Sequence, residues 1–202
     1  MFWDNVAGVY DIFVNVINRR THRELRRIVA GLIGPQDRVL ECACGTGMLT
    51  SVIAGRCRAV TATDYAPKML KRAEKNCAGY GNITFRQADI TSLDFPDGAF
   101  DKVVAGNVIH LLDDPMKALR ELDRVCAPGG LLIIPTYMNK DDSVGGAGFS
   151  SAVDKAGADF RHEFTVDSYR QFFISAGYGD VKIEVADGRI PCAVAVTGKR
   201  GA

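Results

Sequence analysis

The sequence predicts an α/β fold: an open, mostly parallel sheet of seven strands, with helices on both faces and an antiparallel hairpin at its C-terminal end. Short apolar strands alternate with amphipathic helices from residue 38 to about residue 135, which is typical of a parallel sheet covered by helices. The last two predicted strands are joined by only four residues, 186–189, and so short a connection requires antiparallel pairing. With 202 residues, 47% of them hydrophobic, the chain is expected to form a single domain with a sizeable core.

Two helices are predicted before the sheet. Residues 5–17 place apolar side chains at helical spacing. The second helix is predicted to begin at Thr21 as N-cap, with Glu24 completing a capping box, and to end at the Gly-Pro pair 34–35. Its basic cluster, with His22 inside it, is interpreted as a solvated helix face, and an RNA-phosphate site is the alternative. The cluster consists of Arg19, Arg20, Arg23, Arg26 and Arg27.

The alternating part of the chain is predicted from short apolar runs bounded by turn residues. Proline at the first turn indicates the start of two of its helices, because the missing N–H has no helical partner there. In chain order the predicted elements are a strand at 39–42, a helix at 48–54, a strand at 59–63, a helix at 67–77, strands at 83–87 and 102–106, a helix from Pro115 to about Cys126, and a strand at 131–135.

A polar, Gly-rich stretch at about 139–162 follows, and Thr165 is then predicted to cap a helix that Gly177 ends. Strands at 181–185 and 192–197 close the chain. The interpretation is one domain over 1–202 with four parts. These are an N-terminal helical cap at 1–33, a ligand-binding core at 37–136, an insertion or lid at 137–164, and a C-terminal helix and hairpin at 165–202.

The strongest motif is the run Glu-Cys-Ala-Cys-Gly-Thr-Gly at 41–47, at a predicted strand-to-helix turn. Gly45 and Gly47 allow the backbone to approach a ligand closely. The helix that follows directs its first N–H groups toward polar or anionic groups of that ligand. A glycine turn alone is weak evidence, because it also serves as a tight connection.

Three further polar side chains end predicted strands. Asp64 ends the second strand, where a carboxylate can accept hydrogen bonds from both hydroxyls of a ribose. Asp89 follows the third strand and Asn107 the fourth. The carboxyl ends of parallel strands share one edge of the sheet, and ligands of open α/β sheets bind at that edge. The sequence therefore predicts a nucleotide-type site there.

Five stretches in this order resemble the class I S-adenosylmethionine-dependent methyltransferases. They are Val-Leu-Glu-Cys-Ala-Cys-Gly-Thr-Gly at 39–47, Asp-Tyr-Ala-Pro-Lys-Met-Leu-Lys-Arg-Ala at 64–73, Gln-Ala-Asp-Ile at 87–90, the stretch 100–110 from Phe-Asp through Asn107 to His110, and Pro-Gly-Gly-Leu-Leu at 128–132. The resemblance covers about 37–136 and is closest to the branch of the ubiquinone and menaquinone biosynthesis methyltransferases. It implies a Rossmann-like sheet and S-adenosylmethionine as cofactor, with no metal. Ala43 stands where the family has its first glycine.

The resemblance also implies roles for single residues. Glu41 would hold the amino group of the methionine moiety, and Ala43, Gly45 and Gly47 would let the cofactor lie against the backbone. Asp64 would bind the ribose hydroxyls.

Further roles follow in the same way for the adenine and for the methionine end. Tyr65 and Met69 would flank the adenine, while Asp89 would accept from its amino group and Ile90 would pack on the ring. Asn107 would lie near the methionine moiety. An N-terminal tyrosine of this branch corresponds to Tyr10, which would close over the cofactor carboxylate.

The implied reaction is direct, in-line methyl transfer to a small-molecule acceptor, for which alignment of donor and acceptor is the main requirement. His110 is the candidate general base where the acceptor must first lose a proton, and a partner of local backbone is the alternative. His162 and Glu163 could reach the substrate or be ordinary loop residues. Oxygen, nitrogen and carbon acceptors all remain open.

Two other functions compete. A nicotinamide or flavin oxidoreductase would require G-x-G-x-x-G, but the sixth position is Thr50 counted from Gly45 and Met48 counted from Ala43. A non-catalytic protein that binds S-adenosylmethionine as a regulator stays open. A nucleic-acid or protein methyltransferase is disfavoured, because residues 107–110 lack the Asn/Asp-Pro-Pro-aromatic turn of enzymes that methylate exocyclic or amide nitrogens.

Charge and cysteine content indicate a cytoplasmic protein. The net charge of +1 gives no overall electrostatic reason to expect nucleic acid or an anionic membrane as partner. The six cysteines have neither zinc-site nor C-x-x-C spacing, so they are interpreted as free, buried thiols in a reducing compartment. No window of about 18 uncharged apolar residues predicts a membrane span, and no secretory signal is recognised.

Overall fold

A computed structural model describes residues 18–138 and 161–200. The predicted helix at 5–17, Tyr10 and most of the predicted lid lie outside the described residues. In chain order the elements are α1 (Arg19–Leu32), β1 (Arg38–Cys42), α2 (Met48–Ala54), β2 (Ala59–Asp64), α3 (Pro67–Asn76), β3 (Ile83–Gln87), β4 (Phe100–Ala105), a 3-10 turn (Ile109–Leu111), α4 (Pro115–Val125), β5 (Cys126–Tyr137), α5 (Val166–Ser175), β6 (Lys182–Ala186) and β7 (Cys192–Gly198).

The seven strands form one sheet in the order β3-β2-β1-β4-β5-β7-β6. Strands β1 to β5 pair in parallel, whereas β7 runs antiparallel to both β5 and β6. This confirms the predicted fold class and the C-terminal hairpin. The chain moves outward from β1 in one direction through β2 and β3, and then in the other through β4 and β5. Such a reversal between β1 and β4 opens a crevice at the carboxyl ends of the two strands.

The central strands β1, β4 and β5 are buried on both faces, as their apolar sequences predict for a parallel sheet, whereas the edge strands β3 and β6 are largely exposed. Successive residues of one strand enter different clusters: Leu40 packs on the side of α4 and α5, whereas Val39 packs on the side of α1 and α2. Val103 and Val104 of β4 divide in the same way. The central strands are therefore held from both sides, which gives the residues at their carboxyl ends a rigid base.

Two predictions about α1 are wrong. The helix begins at Arg19 with Asn18 as N-cap, not at Thr21, and Glu24 binds Arg27 instead of closing a capping box. Thr21 is instead an internal residue of the helix, and its hydroxyl donates to the side-chain oxygen of Asn18 and to the carbonyl of Ile190. Tertiary hydrogen bonds to the β6–β7 connection therefore fix the start of this helix, and the local capping pattern could not reveal them.

His22 does not lie on a solvated face. It is buried, and its Nε2 shares a 2.7 Å hydrogen bond with the hydroxyl of Tyr137 at the end of β5. The five arginines around it in sequence are exposed, as predicted. The helix thus separates its single histidine, which faces the sheet, from its arginines, which face solvent.

Strand β5 begins earlier than predicted, directly after α4 at Cys126. The pairing with β4 shifts register between Phe100 and Lys102, so that the Pro-Gly-Gly stretch is accommodated as an irregularity inside the strand. A Cβ on Gly130 would lie 2.7 Å from the carbonyl oxygen of Asp101, so this close approach requires glycine.

The predicted cap at Asp114 is confirmed, because its carboxylate accepts from the N–H of Lys117. So is the cap at Thr165.

Among the described residues, no helix has both the length and the apolar character that crossing a bilayer would require.

Candidate functional site

A cavity of about 530 Å³ opens at the carboxyl edge of the sheet, where the strand order reverses between β1 and β4. Four chain segments that are distant in sequence form its wall, each of them following one of the strands β1 to β4. Eight of the eleven residues predicted to bind a cofactor line it: Ala43, Gly45, Asp64, Tyr65, Met69, Asp89, Ile90 and Asn107. The volume is in the range of small-ligand sites in proteins.

The turn after β1 has left-handed backbone at three positions. Ala43 and Gly45 both have φ 55°, and Gly47 has φ 90°. Such values are easy for glycine but cost an alanine about 1–2 kcal/mol, so Ala43 is strained. Two backbone–backbone hydrogen bonds hold the turn, from the N–H of Cys44 to the carbonyl of Thr63 and from the N–H of Gly47 to the carbonyl of Cys44.

Gly47 does not line the cavity; it is the N-cap of α2. A Cβ at this position would lie 2.8 Å from Sγ of Cys77 and 3.3 Å from Cα of Ala73. Its role in this structure is to let α2 approach α3 closely, because both its φ and its surroundings exclude a side chain.

Asp64 connects the glycine turn to the exit of β2. Its Oδ2 accepts from the N–H of Gly45 at 2.8 Å, and its Oδ1 accepts from the N–H of Ala66 at 2.9 Å. The carboxylate is therefore fixed in position on the cavity wall before any ligand is bound, and an ionised oxygen can accept further hydrogen bonds.

The neighbouring wall is formed after β3. Oδ1 of Asp89 accepts from both the N–H and the hydroxyl of Thr91, each at 2.8 Å, in a turn that orients the carboxylate. Ile90 and Met69 contribute buried apolar surface, whereas the Tyr65 side chain is 59% exposed at the mouth. The Asp89 carboxylate and this apolar surface form a second subsite beside Asp64.

Glu41 is buried beneath the glycine turn and does not itself line the cavity. Its Oε2 has no hydrogen-bond partner within the described parts of the chain. Burial, and to a smaller extent the nearby Asp64 carboxylate, raise the pKa of Glu41 to about 8. A buried carboxyl group with an unsatisfied oxygen is costly for a fold, which favours a role with a ligand.

Asn107 follows β4 and has φ 54°, a left-handed conformation that asparagine tolerates better than most residues. Its N–H donates to the carbonyl of Pro135 at 2.8 Å, and its side-chain oxygen accepts from the thiol of Cys192. The residue thereby joins the ends of β4, β5 and β7 at the cavity.

Sequence reasoning missed one wall of the cavity. It is formed by the 3-10 turn and the start of α4 and includes Leu111, Leu112, Asp113, Asp114 and Lys117. Asp114 and Pro115 gave a clear signal for the start of a helix, but no sequence signal showed that this helix begins beside the glycine turn.

His110 lies behind the cavity wall, not on it. The side chain is buried and packs edge-on against Tyr137, with ring centroids 6.0 Å apart. Burial, and secondarily the neighbouring His162, lower the pKa of His110 to about 3. A neutral, buried imidazole away from the cavity is a poor general base at neutral pH.

His162 is half-buried, and its backbone N–H donates to the carbonyl of His110. Glu163 is exposed.

All six cysteines are free, as predicted, and five are buried. Burial raises the pKa of Cys42 to about 12 and that of Cys126 to about 11, so these thiols stay protonated. Within the described residues, no cluster of three or more histidine, cysteine, aspartate or glutamate side chains could hold a metal ion.

Residues 40–134 match the family described as a methyltransferase domain. The ubiquinone/menaquinone biosynthesis C-methyltransferase of Bdellovibrio bacteriovorus is 36% identical over 153 residues, which are 72% of this chain and 64% of that protein. The phosphatidylethanolamine N-methyltransferase of Cereibacter sphaeroides is 34% identical over 183 residues, 89% of this chain and 85% of that protein. A demethylmenaquinone methyltransferase of Renibacterium salmoninarum is 34% identical over 67% of this chain and 56% of that protein. The chain thus spans less than two thirds of the Bdellovibrio and Renibacterium relatives.

Solved structures share the fold at low sequence identity. A methyltransferase of Haloferax volcanii, solved with the Trm112 activator, superimposes with a TM-score of 0.78 at 18% identity over 98% of both chains. The N-methyltransferase NodS of Bradyrhizobium japonicum, solved with S-adenosylhomocysteine, gives a TM-score of 0.69 at 19% identity, over 89% of this chain and 87% of that one. The five ordered motifs, the cavity at the sheet edge and the similarity to these relatives all indicate the same family. The chain belongs to the class I S-adenosylmethionine-dependent methyltransferases, in their ubiquinone/menaquinone methyltransferase-like branch.

Proposed function

We propose that this protein transfers a methyl group from S-adenosylmethionine to a small-molecule acceptor. The observation that carries the proposal is the convergence of the glycine turn, Asp64 and Asp89 on one cavity at the strand-order reversal. An adenosine needs a flat apolar slot, a hydrogen-bond acceptor for its amino group and a carboxylate for its ribose. Residues that line this single cavity provide all three.

The residues present fit this cofactor. In the proposal, Asp64 accepts from the ribose hydroxyls while it continues to hold the N–H of Gly45. Asp89 accepts from the adenine amino group, and Ile90, Met69 and Tyr65 enclose the ring.

The other end of the cofactor carries an ammonium and a carboxylate. The unsatisfied oxygen of Glu41 beneath the turn is the acceptor we assign to the ammonium. A bridging water would connect the two, since Glu41 does not line the cavity. Asn107 lines the cavity just after β4, the strand in which Val104 pairs with Glu41. The Tyr10 role that the resemblance implies concerns a residue outside the described part and is retained as a prediction.

The bound cofactor supplies an electrophilic methyl group on a sulfonium, so the protein must mainly align donor and acceptor and exclude water. Alignment alone contributes roughly 7–11 kcal/mol to such reactions. The rigid ends of β1, β2 and β4 supply fixed positions for this purpose. Because His110 does not line the cavity, we do not assign it as the base.

A small acceptor is supported by the size of the cavity and by the relatives. Those relatives are named for ubiquinone and menaquinone biosynthesis, for demethylmenaquinone and for phosphatidylethanolamine. Their acceptors are methylated on carbon in one case and on nitrogen in another, according to their names. We accordingly propose a small molecule without fixing the accepting atom.

Isothermal titration of S-adenosylmethionine and S-adenosylhomocysteine into wild type, Asp64→Asn and Asp180→Asn tests the donor site. Asp180 is exposed and does not line the cavity, so it controls for the change of charge. We expect Asp64→Asn to weaken both ligands by about 1.5–3 kcal/mol, because a charged hydrogen-bond acceptor is lost. Equal affinity of all three proteins would remove Asp64 from the site, and no binding to wild type would refute the donor assignment.

A further inference from the structure

Helix α1 carries an exposed surface that the methyl-transfer site does not use. At about 100° of rotation per residue, Arg19, Arg20, Arg23, Arg26 and Arg27 fall within an arc of about 120° on one side of the helix. Ala30 also falls within that arc but is buried, so the exposed part of the surface ends at Arg27. We call this surface the arginine face. The opposite side packs Leu25, Ile28 and Val29 into the core.

The acidic groups near the arginine face are engaged by one of its members. Arg27 binds Glu24 of its own helix at 2.7 Å and Glu184 of β6 at 3.1 Å. Within the described residues, Arg19, Arg20, Arg23 and Arg26 take part in no salt bridge with a carboxylate. Asp187 and Arg189, in the β6–β7 connection beside the helix start, are both exposed and offset each other in charge. Glu24 also interacts electrostatically with Arg20 and Arg23. Because that one carboxylate is already bound to Arg27, this part of the described surface keeps an excess of positive charge.

This arrangement works against the stability of the helix. Arginines three or four positions apart repel each other, and Arg23 has such a spacing to Arg19, Arg20 and Arg26. Arg19 and Arg20 lie in the first turn, at the positive end of the helix dipole. That turn contains no acidic residue to offset their charge. Both effects raise the positive potential at the N-terminal end of α1, and an anionic surface would relieve them.

The N-terminal end of α1 lies at the carboxyl edge of the sheet, where the cavity opens. The side-chain amide of Asn18 donates to the carbonyl of Ile190, which precedes β7. His22 shares its hydrogen bond with Tyr137, the last residue of β5. Asn107, which lines the cavity, is bonded to Pro135 of that same strand. The arginine face thus begins on the same side of the molecule as the entrance to the cavity.

We propose that the arginine face docks the protein peripherally on an anionic phospholipid bilayer. A net charge of +1 means that the attraction is local to this face. Guanidinium groups suit a layer of phosphates because each can bind one bidentately. Single-stranded RNA recognition would also use aromatic side chains for stacking, and the arc contains none. The proposal goes beyond the methyl-transfer function and does not require it.

Co-sedimentation with vesicles tests the docking surface directly. The whole protein is mixed with phosphatidylcholine vesicles, or with mixed phosphatidylcholine–phosphatidylglycerol vesicles, at low and raised salt. The test variant is Arg19→Gln/Arg20→Gln/Arg23→Gln/Arg26→Gln. The matched control, Arg56→Gln/Arg58→Gln/Lys71→Gln/Lys75→Gln, removes the same charge from exposed positions elsewhere. Circular dichroism melting and titration with S-adenosylmethionine verify that each variant folds and keeps its cofactor site.

We expect wild type to bind the anionic vesicles and not the neutral ones, with binding weakened by salt. The test variant should lose about tenfold or more in partition coefficient, and the control variant less than about threefold, because only charges near the lipid surface contribute fully. Equal losses in the two variants, equal binding to neutral vesicles, or no vesicle binding by wild type would overturn the proposal. So would tighter binding of a single-stranded RNA that the test variant alone loses, since it would reassign the face. Vesicle binding and cofactor binding are separate measurements, so either proposal can fail alone.

Discussion

At the scale of single residues, Glu41 has the largest consequence for how the protein responds to pH. Its pKa of about 8 in the fold lies well above the ordinary value, because the carboxyl group is buried. Between about pH 5 and pH 8 the unfolded chain has released this proton and the folded protein still holds it. Stability without ligand should therefore be complete below the ordinary pKa and be lost as the pH rises toward 8.

Glu41→Gln should remove this dependence. Wild type should lose up to about 1.4 kcal/mol of unfolding free energy per pH unit across this range, while the variant changes much less. Urea unfolding of the ligand-free proteins at several pH values measures it, with Glu74→Gln, an exposed position on α3, as control. Parallel curves for wild type and Glu41→Gln would show that burial does not shift this group.

Ala43 offers a second test at this scale. The sequence marked it as a departure from the family's glycine, and the structure shows that alanine is held there at φ 55°. Ala43→Gly should raise the unfolding free energy by up to about 1 kcal/mol, because relief of strain exceeds the added chain entropy. Ala59→Gly, in the extended backbone of β2, should lower it by about 0.5–1 kcal/mol. The denaturant midpoints of the two variants should move in opposite directions relative to wild type. If both midpoints fell, the backbone at Ala43 would not be strained.

At the scale of elements, the junction of α2 and α3 depends on Gly47. Gly47→Ala should cost about 1–3 kcal/mol of unfolding free energy, since the residue has φ 90° and its new Cβ would meet Cys77. Adding Cys77→Ala should recover the part that is due to contact with Cys77, and leave the parts that are due to φ and to the contact with Ala73. Gly79→Ala, which meets nothing within 4 Å, should be close to neutral. Thermal melting of the four proteins measures this, and a neutral Gly47→Ala would refute the close approach.

The element scale also shows where the sequence was sufficient. Helix α2 and strand β3 have the predicted bounds. Gly47 and Gly55 flank the largely apolar helix, and Asn82 precedes the strand, which begins with alternating apolar and polar residues. The start of α1 was wrong, because it is set by bonds to Ile190, far away in the sequence. Strand β5 was predicted too short, because Pro-Gly-Gly usually ends an element, whereas here the irregular pairing with β4 absorbs it.

At the scale of the whole molecule, the order of the motifs was enough to bring Asp64, Asp89 and the glycine turn to one edge. The carboxyl ends of parallel strands all lie at the same edge of the sheet, so residues that follow these strands must meet there. The wall formed by Leu111 to Lys117 was not predictable in the same way, because it depends on how the 3-10 turn and α4 pack against β4 and β5. The orientation of the His110 side chain was not predictable for the same reason: its place in the chain is at the rim, but the side chain packs against Tyr137.

The cofactor assignment makes a prediction for the stability of the whole fold. A ligand that joins the ends of β1, β2 and β4 must stabilise the native state, because the unfolded chain has no such cavity. At a concentration of about 100 times its dissociation constant, S-adenosylhomocysteine should add about 2.7 kcal/mol, equivalent to an increase in Tm of about 5–10 °C for a chain of this size. Differential scanning calorimetry with S-adenosylhomocysteine, S-adenosylmethionine and NAD separates the two cofactor classes. NAD should leave Tm nearly unchanged, because the turn after β1 lacks the third glycine of a dinucleotide site and carries Thr50 there. A larger increase with NAD would contradict the assignment of the cavity to a methyl donor and favour an oxidoreductase.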